Sequence, residues 1–201
     1  MTPRLARLAL VLMVGLAVPT CASRNQTSSG SSGSAGSSIA GLVGQQAPDF
    51  TLRDQFDRPQ RLSDYRGKVI LLTFVSSRCK NVCPLTAELL TRTQDLLRAR
   101  ERDAQLVAVN ANFFYNTVPD VLVWSREHRM THRWLFLTGS ESALMSVYHA
   151  YRVTPGSAHT TVVFLIDQQG RVRGVVPTAM KGTLDGEARA LARYVRLLDP
   201  A

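Results

Sequence analysis

The stretch Lys68-Val-Ile-Leu-Leu-Thr-Phe-Val75 is a continuous apolar run of strand length. A strand with one wet face alternates apolar and polar residues, so an unbroken run of this kind reads as a central strand covered on both faces. Gly67 marks its start. The loop Ser76-Ser77-Arg78-Cys79-Lys80-Asn81-Val82-Cys83 follows and leads to Pro84, a favoured first helical residue. Leu85, Leu89, Leu90, Leu96 and Leu97 then recur at helical spacing, which predicts a helix up to Arg102. A covered strand feeding a helix already demands a layered α/β domain.

The remaining elements fit that demand. Pro48–Leu52 and Gln60–Leu62 read as a small N-terminal hairpin, and Gln105–Ala111 as a second apolar strand. Val118–Met130 is predicted as a helix with Pro119 in its first turn, Trp134–Leu137 as a short strand, and Ser140–Tyr151 as a helix capped by Ser140. Thr160–Ile166, a turn at Asp167–Gly170, and Arg171–Val176 form a hairpin, and Leu184–Leu198 closes the chain as an amphipathic helix. The order is a β-α-β unit, an inserted α-β-α segment, then β-β-α. Parallel strands linked by a helix, an antiparallel hairpin and a last helix give a mixed sheet flanked by helices, which resembles the thioredoxin-like arrangement.

The first 38 residues are of another kind. Arg4 and Arg7 precede an apolar run from Leu8 to Val18, eleven residues, whereas a bilayer-spanning helix needs about 20. Residues 1–21 therefore read as an export signal, with Cys21 where a lipoprotein signal places its modified cysteine. Ordinary signal cleavage nearby and a short uncleaved anchor are the competing readings. Residues 22–38, with TSSGSSGSAGSS from Thr27 to Ser38, form a flexible tether that can bury nothing. The globular domain is expected over 39–201, exported and membrane-anchored, facing the periplasm or cell exterior. An odd thiol is a liability in such a compartment, and acylation would cap Cys21.

The formal charge of +9 raises the question of an anionic partner. Only three of the basic residues are lysine, and the arginines are scattered over helix faces and turns. A nucleic-acid groove needs clustered charge with interleaved aromatics, so no nucleic acid is expected. Weak attraction to anionic headgroups or to an acidic protein stays open.

Cys79 and Cys83 carry the chemistry. Four residues is about one helical turn, so both sulfurs can face one way and can be bridged or can share a metal. The positive end of the helix, with Arg78 and Lys80 nearby, is expected to lower the thiol pKa values and favour thiolate. An inert disulfide closing so short a loop would restrict the unfolded chain little.

The run Thr73-Phe-Val-Ser-Ser-Arg-Cys79-Lys-Asn-Val-Cys83-Pro84 resembles the CxxxCP motif of the Sco/SenC family of copper proteins. Arg133-Trp134-Leu-Phe-Leu-Thr138-Gly139 and Ser157-Ala-His159-Thr160-Thr-Val-Val-Phe-Leu-Ile-Asp167-Gln-Gln-Gly170 are further matches, and the likeness covers roughly Gly44 to Leu198. It implies a metal site of Cys79, Cys83 and His159, since a histidine just before this strand completes the family's site. It also implies a copper metallochaperone whose recipient is the copper-bearing subunit of cytochrome c oxidase. In disulfide exchangers of this fold the same loop presents a cis-proline, but here it reads Pro155-Gly156-Ser157-Ala158-His159-Thr160. Two thiolates and an imidazole suit soft Cu(I) and can hold Cu(II) with an added ligand. Structural zinc would want a fourth protein ligand.

Two rivals are carried beside this reading. A thiol-disulfide oxidoreductase would use Cys79 and Cys83 as a redox-active pair recharged by a periplasmic thiol reductant, and His159 would be dispensable. A peroxide reductase wants threonine three residues before its cysteine, where this chain has Ser76. His128 and His132, four apart, are expected as surface residues, and His149 as a helix-surface or packing residue. One departure stands out: the family usually has a "VDPxxDT" pattern after the second strand, whereas this chain reads Val109-Asn110-Ala111-Asn112, without the carboxylates.

Overall fold

The computed structural model describes residues 39–99, 104–156, 161–178 and 182–198. The segments expected to be an export signal and a tether lie outside them, as do Cys21 and His159.

β1 (Thr51–Arg53) and β2 (Pro59–Arg61) pair antiparallel with Leu52 opposite Gln60. The connecting turn is built on buried Asp54, whose carboxylate accepts the backbone N–H groups of Phe56 at 2.8 Å and Arg58 at 2.9 Å. The main sheet holds β3 (Ile70–Val75), β4 (Gln105–Asn110), β5 (Trp134–Leu137), β6 (Val162–Ile166) and β7 (Val172–Pro177) in the order β5-β4-β3-β6-β7. β3, β4 and β5 run parallel, while β6 is antiparallel to both β3 and β7. The hairpin latches onto the β5 edge, because Arg53 and Thr138 exchange two backbone hydrogen bonds of 2.8 Å.

Helices α1 (Val82–Arg98), α2 (Val118–Glu127), α3 (Glu141–Tyr151) and α4 (Leu184–Leu198) cover the sheet. Every residue of β3 is buried, as the apolar run predicts, and its alternation divides the core. Leu71 and Val75 join Leu89 and Leu90 of α1, Trp124 of α2 and Leu191 of α4 in one layer. Ile70, Leu72 and Phe74 join Tyr148 and Tyr151 of α3 in the other. Phe74 sits among Tyr148, Tyr151 and Phe164 with ring centroids 5.8–6.2 Å apart. Full burial of such side chains is the main stabilising term, about 1.5–3 kcal/mol each.

Several strand ends shift by one to three residues, and three helix ends differ from the sequence expectation for identifiable reasons. The first long helix starts at Val82, so Pro84 is its third residue, where the missing N–H is still one of the unpaired first four. It ends at Arg98 instead of Arg102. The second ends at Glu127 instead of Met130, because Arg129 adopts a left-handed conformation (φ 58°) and Met130 turns back to donate to Ser125 at 2.7 Å. The expected capping of α3 by Ser140 is observed, its hydroxyl accepting Ala143 N–H at 3.2 Å.

Candidate metal and redox site

β3 delivers the chain to the end of the sheet, where residues 76–81 form the loop that turns into α1. Cys79 stands half-exposed in that loop, and Cys83, inside the first turn of α1, is fully buried. The two are not joined in a disulfide. Asn81 precedes the helix but its side chain makes no capping bond. The Cys79 sulfur fills that role, accepting the Cys83 backbone N–H at 3.3 Å. The Cys79 backbone N–H donates to Ser76 O at 3.0 Å, and its carbonyl accepts the Trp124 indole N–H at 3.4 Å.

The expected lowering of both thiol pKa values by the helix end is overturned for Cys83. Burial raises it above the ordinary cysteine value, and the hydrogen bond with the Cys79 side chain raises it further. A helix terminus offers a fraction of a unit charge, and desolvation of a buried thiolate outweighs it. The Arg78 guanidinium lies 4.2 Å over the Tyr115 ring.

Cys79 opens into a groove of about 460 Å³. Arg78 and Lys80 of the cysteine loop line it together with Asp120, Trp124, Glu127 and His128 from α2 and its C-terminal end. His128 is not the free surface residue expected from sequence: its ring packs 4.0 Å from that of Trp124, and burial lowers its pKa more than Glu127 raises it. His132 stacks on Phe56, and His149 is exposed on α3.

Sequence reasoning noted Asn110 only as a departure, and the structure gives it a task. It is fully buried at the end of β4. Its Oδ1 accepts the N–H groups of Ser77 and Asn112, both at 3.2 Å, and its Nδ2 donates to Tyr115 O at 2.7 Å. The Ser77 hydroxyl donates to the same oxygen at 2.8 Å, and the Tyr148 hydroxyl donates to Asn110 O. A carboxylate could accept the first two bonds but could not donate the third. Tyr115 and Trp124 were also missed. The Asn110-Ala-Asn112 run is the signal that could have found part of this network, since asparagine side chains bond nearby backbone in turns: Asn112 Oδ1 accepts Phe114 N–H at 3.0 Å.

Two soft sulfur donors at one helix end fit a soft monovalent ion such as Cu(I). Among the described residues, no three His, Cys, Asp or Glu side chains are grouped so as to hold a metal ion. His159, the third expected donor, lies outside those residues. The segments on either side of it are described. Gly156 N–H donates to Ala111 O at 2.9 Å, beyond the end of β4, and β6 begins at Val162, whose carbonyl accepts the Thr73 hydroxyl of β3 at 2.8 Å.

The SCO1/SenC family model matches residues 42–196. The fold is shared with ScoI of Arabidopsis thaliana, solved with copper bound, at TM-score 0.65 and 19% identity over 75% of this chain and 98% of that one. It is also shared with a SCO1/SenC family lipoprotein from Bacillus anthracis, at TM-score 0.66 and 20% identity over 76% of this chain and 94% of that one. Among curated proteins, the thiol-disulfide oxidoreductase ResA of Geobacillus thermodenitrificans is 27% identical over 141 residues, 70% of this chain and 72% of its own length.

Proposed function

This chain belongs to the SCO1/SenC family, and from that premise we propose that it is a copper metallochaperone, exported and tethered to a membrane at its N-terminus. Cys79, Cys83 and His159 take up the ion and pass it to the copper-bearing subunit of cytochrome c oxidase. The carrying observation is the antiparallel pairing of β6 with β3, Val163 opposite Thr73. It supports the third ligand because β6 starts at the sheet end where β3 stops and the cysteine loop begins. The asymmetry of the sulfurs suits cargo that must come off again: half-exposed Cys79 is the entry point, and buried Cys83 must release a proton before it can ligate. Copper supplies no chemistry here beyond being carried; it moves by exchange between ligand sets.

Titration of the reduced, full chain with Cu(I) against a competing chelator tests the reading. Wild type should extract the ion, and His159→Ala and Cys83→Ser should each weaken binding by at least about tenfold. Unchanged affinity in both variants would sink the site.

The buried and half-exposed thiols also favour a second reading, exchange of disulfides in exported or oxidase proteins with Cys79 as the attacking sulfur. The copper-free Cys79–Cys83 couple would then need a low potential and a periplasmic thiol reductant. In that case His159→Ala leaves exchange intact while abolishing any copper retention.

A further inference from the structure

Helix α4 buries Ala188, Leu191, Ala192 and Val195 against the sheet and α1. The opposite side of the same helix carries Ala190, Arg193, Tyr194 and Leu197, at the i, i+3, i+4, i+7 spacing that lines one face. Tyr194 is 55% exposed and Leu197 68%. With these two, Ala190 and Arg193 line a shallow apolar groove of about 410 Å³. At about 100° per residue, Arg189, Arg193 and Arg196 all fall along one flank of this stripe. Among the described residues none of the three forms an ion pair.

We propose that this outer face of α4 docks on an anionic bilayer surface. Leu197 and the Tyr194 ring enter the boundary between headgroups and acyl chains, where an amphipathic aromatic tip is well accommodated. The arginine flank reaches lipid phosphates, its stems lying over the apolar stripe. A second copy of this chain is a poor occupant, since an antiparallel isologous contact would set three arginines against three arginines. A stable protein partner generally needs about 800 Å² per side, more than a stripe with two large apolar side chains offers. Charge complementarity and shallow depth both select the lipid surface. The inference does not depend on what the cysteines bind.

Tryptophan fluorescence quenched by brominated lipids tests it in the full chain. Tyr194→Trp puts an indole on the stripe, and His149→Trp puts one on exposed α3, which covers the other face of the sheet. The native Trp124 and Trp134 are buried and set a baseline measured in wild type. On brominated phosphatidylglycerol vesicles the added emission of Tyr194→Trp should be largely quenched, and that of His149→Trp should not. Brominated phosphatidylcholine vesicles should quench Tyr194→Trp much less. In the Tyr194→Trp background, changing Arg189, Arg193 and Arg196 to Gln should lower binding to the anionic vesicles by about fivefold per charge. Three results overturn the proposal: no quenching of Tyr194→Trp, equal quenching at both positions, as a purely N-terminal anchor would give, or equal quenching on both lipids.

Discussion

The sulfur of Cys79 accepts the backbone N–H of Cys83 at 3.3 Å, closing the first turn of α1 from outside the helix. Two chemically identical side chains are thereby made unequal. One is a half-exposed acceptor at the helix end, and the other is a buried thiol inside it.

Reactivity should follow that division. Reduced protein treated with iodoacetamide at neutral pH should alkylate Cys79 first, with Cys83 slower by at least about tenfold and modified fully only in denaturant. Peptide mass spectrometry over time reads both rates. Equal rates would mean that Cys83 is not shielded in solution.

Alkaline stability depends on the same thiol. Cys83 is raised above its ordinary value of 9.0 by burial, so above about pH 9 the unfolded chain releases this proton while the folded one keeps it. The folded state then binds more protons, and stability falls with rising pH, by up to about 1.4 kcal/mol per unit in that window. Tyr148 and Tyr151, also raised by burial, add the same sign from about pH 10. Urea unfolding of reduced wild type and Cys83→Ser should therefore diverge between about pH 9 and 10, with wild type losing stability faster. Parallel curves would contradict the burial argument.

Asn110→Asp should be costly although it exchanges a single non-hydrogen atom. It removes the donor to Tyr115 O and places a carboxyl group at a fully buried position. The expected loss is about 2–3 kcal/mol, or roughly 5–10 °C in Tm by calorimetry. The alkylation rate of Cys79 should rise with it, because Ser77 hangs from the same side chain.

Phe74→Ala tests the core behind the site. Phe74 is fully buried among three aromatic rings, and the cavity should cost about 3–5 kcal/mol. Tyr148→Phe keeps the ring and loses only the hydroxyl bond to Asn110 O, so about 1 kcal/mol is expected from denaturant unfolding.

What the sequence made legible was what depends on local pattern. β3 could be read because both its faces are covered, and α3 because Ser140 caps it in the ordinary way. The start of α1 was misread because proline is compatible with any position in the first turn, and the cap is a sulfur two residues ahead of Asn81. The electrostatics of Cys83 were misjudged for a different reason. Basic neighbours and a helix end are visible in one dimension, whereas burial depends on Leu89, Trp124 and the rest of that layer closing over the sulfur. The role of Asn110 needs Ser77 and Tyr115, 33 and 5 residues away, brought together by the parallel pairing of β3 and β4.

One carbonyl oxygen, that of Tyr115, is shared by Ser77 and Asn110. Descent should leave a trace of that sharing. In chains derived from a common ancestor with this one, positions 77 and 110, which contribute side chains, ought to change in concert, whereas position 115, which contributes only its backbone carbonyl, need not follow them. A lineage that carries an acidic residue at 110 must supply another donor for the loop, so chains with only one of the changes should be rare.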